Sequence, residues 1–365
     1  MSFQVSISPV WTIRHAAGGT LGPRVVDLLV AVDEHGSLAA ACAATGASYR
    51  HAWQLLREGE TLFGQPLLVM ARGKGSQLTA LGARLVWAQR RIQARLSPAL
   101  DSLASELSAE IEKAISTAPA RLRIHASHGF AVQALREFLG RADVPHELKY
   151  CAGTEALASL SNGSCELAGF HVPMAEFEPV AIEHYRPWLQ GASHRVIQLA
   201  KRRQGLMVAP GNPKRIYEIG DLVRPDLRFI NRQPGSGTRY LLDLMLQARH
   251  IDAAAIRGYE QCEFTHAAVA AFVASGMADA GLGVEVPARE FKLEFLPVHQ
   301  ERYFLLCDAR SLDSADVQRL LAVIRSADFS AAVNRLPGYV ADDAGSVVTL
   351  EQAFPSFAKA APHQR

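Results

Sequence analysis

The chain has 365 residues, of which 49% are hydrophobic and 20% charged, and its formal net charge is +2. This composition is ordinary for a globular protein of two or three domains. No apolar run approaches the roughly 20 residues that a membrane helix needs, and the amino terminus does not read as a secretory signal. Five scattered cysteines without a C-x-x-C pair indicate reduced thiols. We therefore expect a cytoplasmic protein with no membrane partner.

The positive charge is concentrated at the amino-terminal end. Residues 1–95 contain ten Lys or Arg and five Asp or Glu, a net of +5 on this segment. A basic segment attached to a near-neutral body is typical of a head that binds a polyanion. A basic face that is merely solvated is the alternative.

Three short helices are predicted within this basic segment. Pro23 can occupy the first turn of a helix that Gly36 ends. Ser37 can cap a second helix of small residues, and after a turn at Gly46, Ser48 can cap a third. The order of small-residue helix, glycine turn and polar helix is the helix-turn-helix pattern, whose second helix enters the major groove of DNA.

A β-hairpin wing is predicted next, because "LFGQPLLVMARGKGSQLTALG" reads as a strand, a basic glycine-rich tip and a second strand. Arginine and glutamine at the start of the third helix can pair with base edges, hydroxyls can hold phosphates, and basic wing residues can follow the backbone or minor groove. The candidate DNA-binding residues are Ser37, Ser48, Tyr49, Arg50, His51, Gln54, Arg72 and Lys74.

A long amphipathic helix is predicted from about Ala80 to Ile115, with apolar residues near heptad spacing. Pro98 should kink or break it. Such a helix after a winged head is suited to dimerisation, and the alternative is a core helix that packs within its own chain.

The stretches "GSLAAACAATGASYRHAWQLL" and "FGQPLLVMARGKGSQLTALGARL" resemble the winged helix-turn-helix of LysR-type regulators, and more closely their ModE-like, molybdate-responsive branch. The resemblance covers residues 20 to about 115. It implies a dimeric cytoplasmic transcription factor that binds double-stranded DNA.

Beyond Pro119 the predicted strands and helices alternate, as in "ARLRIHASHGFAVQALREFLG" and "LRFINRQPGSGTRYLLDLMLQ". Alternation of this kind predicts a parallel α/β sheet with helices on both faces. Ligands of such folds bind beyond the carboxyl ends of strands, at loops that open helices.

Four of these loops place a hydroxyl at a predicted helix start, where free backbone N–H groups and the helix dipole favour an anion. They are Ser127-His128-Gly129, Gly153-Thr154, the Gly235–Arg239 segment and Thr265-His266. A serine or threonine at a helix start is more often an N-cap than a ligand contact. Four such loops on one sheet, one of them glycine-rich and flanked by Arg232 and Arg239, favour a ligand site.

The segments "FINRQPGSGTRYLLDLML" and "GYEQCEFTHAAVAAFVASGMADAGLGV" resemble the periplasmic-binding-protein-like domain associated with molybdate metabolism, over roughly residues 121–330. The resemblance implies two α/β lobes joined by crossover strands, with the second lobe near 205–285 and the ligand in the cleft. It also implies an oxyanion such as molybdate or tungstate, or a molybdenum-cofactor species. The candidate ligand-binding residues are Ser127, His128, Thr154, His171, Arg232, Ser236, Gly237, Thr238, Arg239, Thr265 and His266. The first four of these rest on the loop argument or on strand position alone.

The prediction is therefore an α/β protein with an N-terminal winged helix-turn-helix (1–80), a linker or dimerisation helix (81–118) and a two-lobe periplasmic-binding-protein-like domain (119–365). We expect a homodimeric or homotetrameric DNA-binding regulator that responds to a small anion and requires no cofactor. A cytoplasmic carrier of a molybdenum species without a specific operator is the alternative. No catalytic motif and no credible metal-ligand spacing is present, since the chain lacks complete P-loop, dinucleotide, H-E-x-x-H and G-x-S-x-G patterns.

Overall fold

A computed structural model describes residues 5–16, 18–71, 75–115 and 121–359. The predicted wing-tip contacts Arg72 and Lys74, and the predicted boundary at Pro119, lie outside these residues. The chain forms two compact units, of which one is Ser8–Leu96 and the other holds the rest of the described residues. We call them the head unit and the sensing unit.

The head unit contains the predicted helix-turn-helix and wing, preceded by a small hairpin. Its elements, in chain order, are β1 (Ile13–Arg14), β2 (Thr20–Leu21), α1 (Pro23–His35), α2 (Leu38–Thr45), α3 (Tyr49–Phe63), β3 (Leu68–Ala71), β4 (Gly75–Leu78) and the first part of α4 (Ala80–Ile115). The strands of each pair, β1 with β2 and β3 with β4, are antiparallel.

Local capping explains where the helices of the head begin. The Ser37 hydroxyl accepts a hydrogen bond from the Ala40 amide, and the Ser48 hydroxyl accepts one from the His51 amide, at 3.2 Å each. Each cap satisfies an amide that the first helical turn leaves without an intrahelical acceptor. The apolar faces meet in one core whose leucines are fully buried, among them Leu29, Leu38, Leu56 and Leu67.

Helix α4 runs from Ala80 to Ile115 and contains Pro98, so of the expected kink or break at this proline the break is wrong and the kink stays a prediction. A proline inside a helix costs roughly 3 kcal/mol. Packing beyond the proline offsets this cost, since the Ser102 hydroxyl accepts a 2.9 Å hydrogen bond from the Tyr150 amide of the sensing unit.

Helix α4 carries both buried and exposed apolar side chains. Ala104 and Ala109 are buried against the chain itself. Several large apolar side chains stay exposed, namely Leu96, Leu103, Leu107, Ile111 and Ile115. The dimer itself remains a prediction.

The sensing unit alternates strands and helices, as predicted. Its strands are β5 (Leu122–Ala126), β6 (His146–Tyr150), β7 (Leu167–Pro173), β8 (His194–Val208), β9 (Phe229–Arg232), β10 (Cys262–Glu263), β11 (Ala280–Val284), β12 (Glu294–Asp308), β13 (Tyr339–Val340) and β14 (Val347–Val348). Its helices are α5 (Phe130–Arg141), α6 (Gly153–Ser161), α7 (Glu178–Tyr185), α8 (Gly237–Ala248), α9 (His266–Ala274), α10 (Glu285–Glu290), α11 (Ala315–Ile324), α12 (Ala327–Asn334), α13 (Leu350–Ala353) and α14 (Pro355–Lys359).

The strand order β10-β9-β11-β8-β12-β7-β5-β6 divides the sheet into two parallel groups. Between them lie β8 and β12, two antiparallel strands of 15 residues each, about three times the usual strand length. Because one half of each long strand pairs with β11 or β7, these two strands belong to both lobes. The predicted second lobe contains β9, β10 and β11, and the carboxyl ends of the parallel strands face the place where the lobes meet.

Gly82 provides a test of the packing between α4 and the wing. A Cβ at this position would overlap the carbonyl oxygen of Leu67, whereas no described heavy atom lies within 4 Å of a Cβ at the helical Gly140. We expect Gly82→Ala to lower the free energy of unfolding of the head unit by about 1–3 kcal/mol. Gly140→Ala should be neutral or stabilise by about 0.5–1 kcal/mol. Thermal unfolding of the two variants checks this, and equal effects would contradict the described packing.

Candidate functional site

The site begins with charged and polar side chains in the middle of the two long strands. Arg202 of β8 and Glu301 of β12 are register partners and are 3% and 0% exposed. The Arg202 guanidinium donates to Glu301 Oε2 at 2.8 Å, and Gln204 Nε2 donates to the same oxygen at 2.8 Å. Gln204 Nε2 also donates to the Thr238 hydroxyl at 3.0 Å, which links the long strands to the start of α8.

The second lobe supplies the starts of α8 and α9 and the end of β9. Ser236 caps α8 and Thr265 caps α9, so both hydroxyls accept from backbone amides of their own helices. Arg232, the last residue of β9, is 6% exposed. Its guanidinium donates to the Phe264 carbonyl at 3.1 Å, which holds this side chain beside the start of α9.

The first lobe supplies two histidines and a tyrosine. The His171 ring on β7 lies 3.0 Å from the Ser127 hydroxyl through Nδ1 and packs edge-on against Tyr303. The His128 ring packs edge-on against Tyr150. Tyr303 donates a 2.9 Å hydrogen bond to the Ser127 carbonyl, and this bond fixes the loop before α5.

Two glycines allow helix starts to approach these side chains. A Cβ at Gly129, the cap of α5, would lie 3.6 Å from Arg202 Nη1 and 3.9 Å from His171 Nε2. A Cβ at Gly237, the first residue of α8, would lie 3.9 Å from the His171 Cβ. Helix starts from different lobes therefore both lie close to His171.

Burial determines the protonation of the three histidines. It lowers the pKa of His128 to about 3, with Arg232 and Arg202 acting in the same direction. It also holds the pKa values of His171 and His266 well below the ordinary value, and the charges of Arg202 and Arg232 add to the effect. All three rings are neutral near pH 7, so each can donate one hydrogen bond and accept another.

The two arginines keep their charge although they are buried. Burial lowers the pKa of Arg232 to about 9, and repulsion from Arg202 lowers it more than Glu301 raises it. Burial opposes the charge of Arg202 as well, but Glu301 and Tyr339 raise the pKa of Arg202 above its ordinary value. The cluster is thus cationic around Arg232, and a buried anion would stabilise it.

Several buried polar atoms of this cluster have no hydrogen-bond partner among the described residues. They are Arg202 Nη1, His128 Nδ1, His171 Nε2, His266 Nδ1, Gln204 Oε1 and Glu301 Oε1. A buried unsatisfied polar group costs about 1–3 kcal/mol, so this group of them is the candidate ligand site. We call these residues together with Arg232 the cationic cluster.

The structure brings most of the predicted ligand residues together but not all. Those at the cluster, or capping the helices that border it, are Ser127, His128, His171, Arg232, Ser236, Gly237, Thr238, Thr265 and His266. Arg239 lies apart, with its guanidinium 3.7 Å from the centre of the Tyr259 ring and 3.5 Å from the Asp243 carboxylate. Thr154, in the first turn of α6, has no contact with the cluster in the described structure.

Sequence reasoning missed Arg202, Gln204, Glu301 and Tyr303, because it considered only loops that open helices. A signal was present: "AKRRQGLMV" and "VHQERYFLL" place charged residues inside otherwise apolar strands. A charge in a buried strand needs a partner or a function.

In the head unit the predicted DNA-binding side chains of α3 face solvent. Tyr49, Arg50, His51 and Gln54 are exposed, as is the cap Ser48, while Ser37 is half-buried. Gln54 Nε2 donates to Glu58 at 3.2 Å. The exposed row starts at the amino terminus of α3, where a recognition helix meets base edges.

The described residues contain no group of three or more His, Cys, Asp or Glu side chains placed to hold a metal ion. None of the described helices combines the length and apolar character needed to span a bilayer.

Two family models match the chain. Residues 135–325 match the PBP superfamily domain, and residues 24–83 match the bacterial regulatory helix-turn-helix protein, lysR family. The first match spans the sensing unit from α5 to α11, and the second spans the head unit from α1 to α4.

The chain is also similar to individual proteins. It is 32% identical over 55% of its length to the uncharacterized protein YvgK of Bacillus subtilis, and it spans 64% of that relative. It is 28% identical over 44% of its length to the molybdenum-pterin-binding protein MopB of Rhodobacter capsulatus, spanning 68% of that protein. Among solved structures, full-length LysG of Corynebacterium glutamicum aligns with 87% of this chain and 99% of its own, at 17% identity and a TM-score of 0.40.

The neutral histidines predict a particular pH dependence of stability. Folding lowers the pKa values of these histidines. As the pH falls below about 6.5, the unfolded chain therefore binds protons that the folded chain does not, and the free energy of unfolding decreases. Each histidine contributes up to about 1.4 kcal/mol per pH unit to this decrease. His266→Gln should therefore flatten the decline of the unfolding free energy between pH 7.5 and 5. Urea unfolding measures this, with His250→Asn, at an exposed position, as the control, and an unchanged slope for His266→Gln would contradict the assignment.

Proposed function

We propose that this chain, which belongs to the PBP superfamily and carries a lysR-family helix-turn-helix domain, is a ligand-responsive DNA-binding transcriptional regulator. The exposed row on α3 reads operator DNA, and the cationic cluster binds the effector. A regulator needs both parts in one chain, and α4 connects them covalently.

The cationic cluster is the observation that carries the ligand part of this proposal. Its unpartnered groups are the Arg202 Nη1 donor and one ring nitrogen on each of three histidines. They lie near Arg232, whose charge lacks full compensation. Charge-assisted hydrogen bonds from arginine to an oxyanion are about twice as strong as neutral ones. A small anion would accept from Arg202 and from the histidine nitrogens that carry a proton, and it would lower the cost of burying Arg232.

Contributions from both lobes explain how such a ligand acts on the protein. His171 belongs to the first lobe, His266 and Thr238 belong to the second, and Arg202 lies on a strand shared by both. A ligand that touches all of them binds better to one arrangement of the lobes than to another. Its binding free energy therefore shifts the equilibrium between those arrangements.

Molybdate or tungstate, or a molybdenum-cofactor species, is the effector class that we propose. The names of MopA and MopB of Rhodobacter capsulatus describe molybdenum-pterin binding, and both proteins are similar to parts of this chain. Burial of the side chains of the cluster favours a compact tetrahedral oxyanion. The unpartnered acceptors Gln204 Oε1 and Glu301 Oε1 favour a ligand that also carries an N–H or O–H group, as a pterin does.

The regulator acts as a homodimer or as a higher assembly of dimers. The exposed apolar row from Leu96 to Ile115 on α4 recurs near heptad spacing and fits a second copy of the same helix. Two heads related by a two-fold axis read a pseudo-palindromic operator.

Calorimetric titration of the full chain with molybdate, tungstate and sulfate tests the ligand assignment. We expect Arg232→Gln to weaken oxyanion binding by about 10- to 100-fold, because a charge-assisted bond contributes about 1.5–3 kcal/mol. Arg239→Gln is the matched control, since this second buried arginine stacks on Tyr259 outside the cluster. It should bind as the unsubstituted chain does.

Each outcome of the titration decides between effectors. Binding of molybdate and tungstate without sulfate identifies a metal-oxyanion sensor. Heat only from a molybdopterin species identifies the larger ligand. Equal affinities of the unsubstituted chain and Arg232→Gln for every bound ligand would show that the cluster is not the site.

A further inference from the structure

The head unit has a groove that the helix-turn-helix assignment does not explain. It lies between the turn of the β1–β2 hairpin and the solvent-facing side of α3, and it has a volume of about 950 Å³. We call it the hairpin groove. Its walls are His15, Gly18, Gly19 and Thr20 of the hairpin on one side and Arg50, Gln54, Arg57 and Glu58 of α3 on the other.

The hairpin is firmly attached at this position. Ile13 pairs with Leu21, and Leu21 is buried in the core of the head. Trp11, just before the hairpin, donates from its indole nitrogen to Gln89 of α4 at 2.5 Å. The turn is closed by two backbone hydrogen bonds, from the His15 amide to the Gly19 carbonyl and from the Gly18 amide to the His15 carbonyl.

Close packing fixes the distance between the turn and α3. Gly19 has a φ of 93°, and a Cβ there would lie 3.0 Å from the Leu62 side chain. Only glycine adopts this backbone conformation readily and allows the approach. The groove is therefore a built feature of the head and not a loose terminal segment.

The charge of the groove is positive. Arg50 and Arg57 line it, and Glu58 is its single acidic lining residue in the described structure. Glu58 accepts a hydrogen bond from Gln54. In the described residues neither the Arg50 nor the Arg57 guanidinium lies within salt-bridge distance of a carboxylate, and both side chains are exposed.

The two arginines lie on the same face of α3. Arg50 and Arg57 are seven residues apart on one helix, so they are two turns and about 10 Å apart along its axis. Arg50 lies at the base-reading end of α3, and Arg57 lies two turns farther along it.

We propose that the hairpin groove holds the sugar-phosphate backbone next to the bases read by α3, with Arg57 as a phosphate contact and the Gly18-Gly19-Thr20 side of the hairpin as the opposing wall. This proposal rests on the DNA-binding function proposed above. It adds a backbone contact from a hairpin that precedes the helix-turn-helix. It also divides the work on α3 between base reading at Arg50 and positioning at Arg57.

The test is the salt dependence of binding of the full chain to two duplexes, its own upstream DNA and a 30-base-pair duplex of unrelated sequence. A lost phosphate contact weakens binding on both duplexes alike. We expect Arg57→Gln to lower affinity about eightfold at 0.1 M salt and to make the log–log salt slope shallower by about 0.9. Arg310→Gln, which removes the same charge from an exposed position of the sensing unit, should leave both quantities unchanged.

A second variant tests the opposing wall of the groove. Thr20 is exposed in β2 and lines the groove, so Thr20→Glu should place a negative charge against the phosphates and weaken binding to both duplexes. Gln93→Glu adds the same charge at an exposed position of α4 outside the groove and is its control.

The outcomes separate this proposal from the proposed function. Salt-dependent DNA binding by the unsubstituted chain, with Arg57→Gln and Thr20→Glu behaving like their controls, overturns the groove proposal alone. Loss confined to the upstream duplex in Arg57→Gln would make this residue a base reader and would also overturn it. No DNA binding by the unsubstituted chain overturns both the groove proposal and the proposed function.

Discussion

The buried ion pair between Arg202 and Glu301 is the interaction on which the sensing unit depends. Removing two charges from water is expensive, and their attraction offsets that cost only when geometry is good and further hydrogen bonds are made. Here the pair joins register partners on the two strands that both lobes share, and Gln204 adds a bond to the same carboxylate oxygen. The pair thereby fixes β8 against β12 and leaves one guanidinium nitrogen for a ligand.

Other features of the site follow from this arrangement. Neutral histidines surround the pair because burial and two nearby guanidinium groups oppose a third positive charge. Arg232 remains charged although Arg202 repels it, and this is why we propose an anion as the ligand. Because the polar groups come from both lobes, the proposed ligand would fill the site and set the lobe arrangement together.

The sequence predicted what local rules control and missed what tertiary structure controls. Helix starts at Ser48, Ser236 and Thr265 follow from capping chemistry, and all three are N-caps in the structure. Arg239 was predicted beside the ligand because it follows the glycine-rich turn, but its helical position directs it to Tyr259. Arg202 and Glu301 could not be paired from sequence, since 99 residues separate them and only the strand register brings them together. Likewise, Pro98 is tolerated because contacts beyond it hold α4 to the chain.

The central claim is that one chain couples an anion site to operator binding, and footprinting of the full chain on its own upstream DNA tests it most directly. The unsubstituted chain, Arg50→Ala and Arg232→Gln would each be titrated onto this DNA, with and without a bound oxyanion. The account predicts a protected pseudo-palindrome, lost in Arg50→Ala, whose half-saturating protein concentration changes at least about fivefold with effector. That change should disappear in Arg232→Gln. Absence of any protected site, or protection that a bound effector leaves unchanged, would contradict the account.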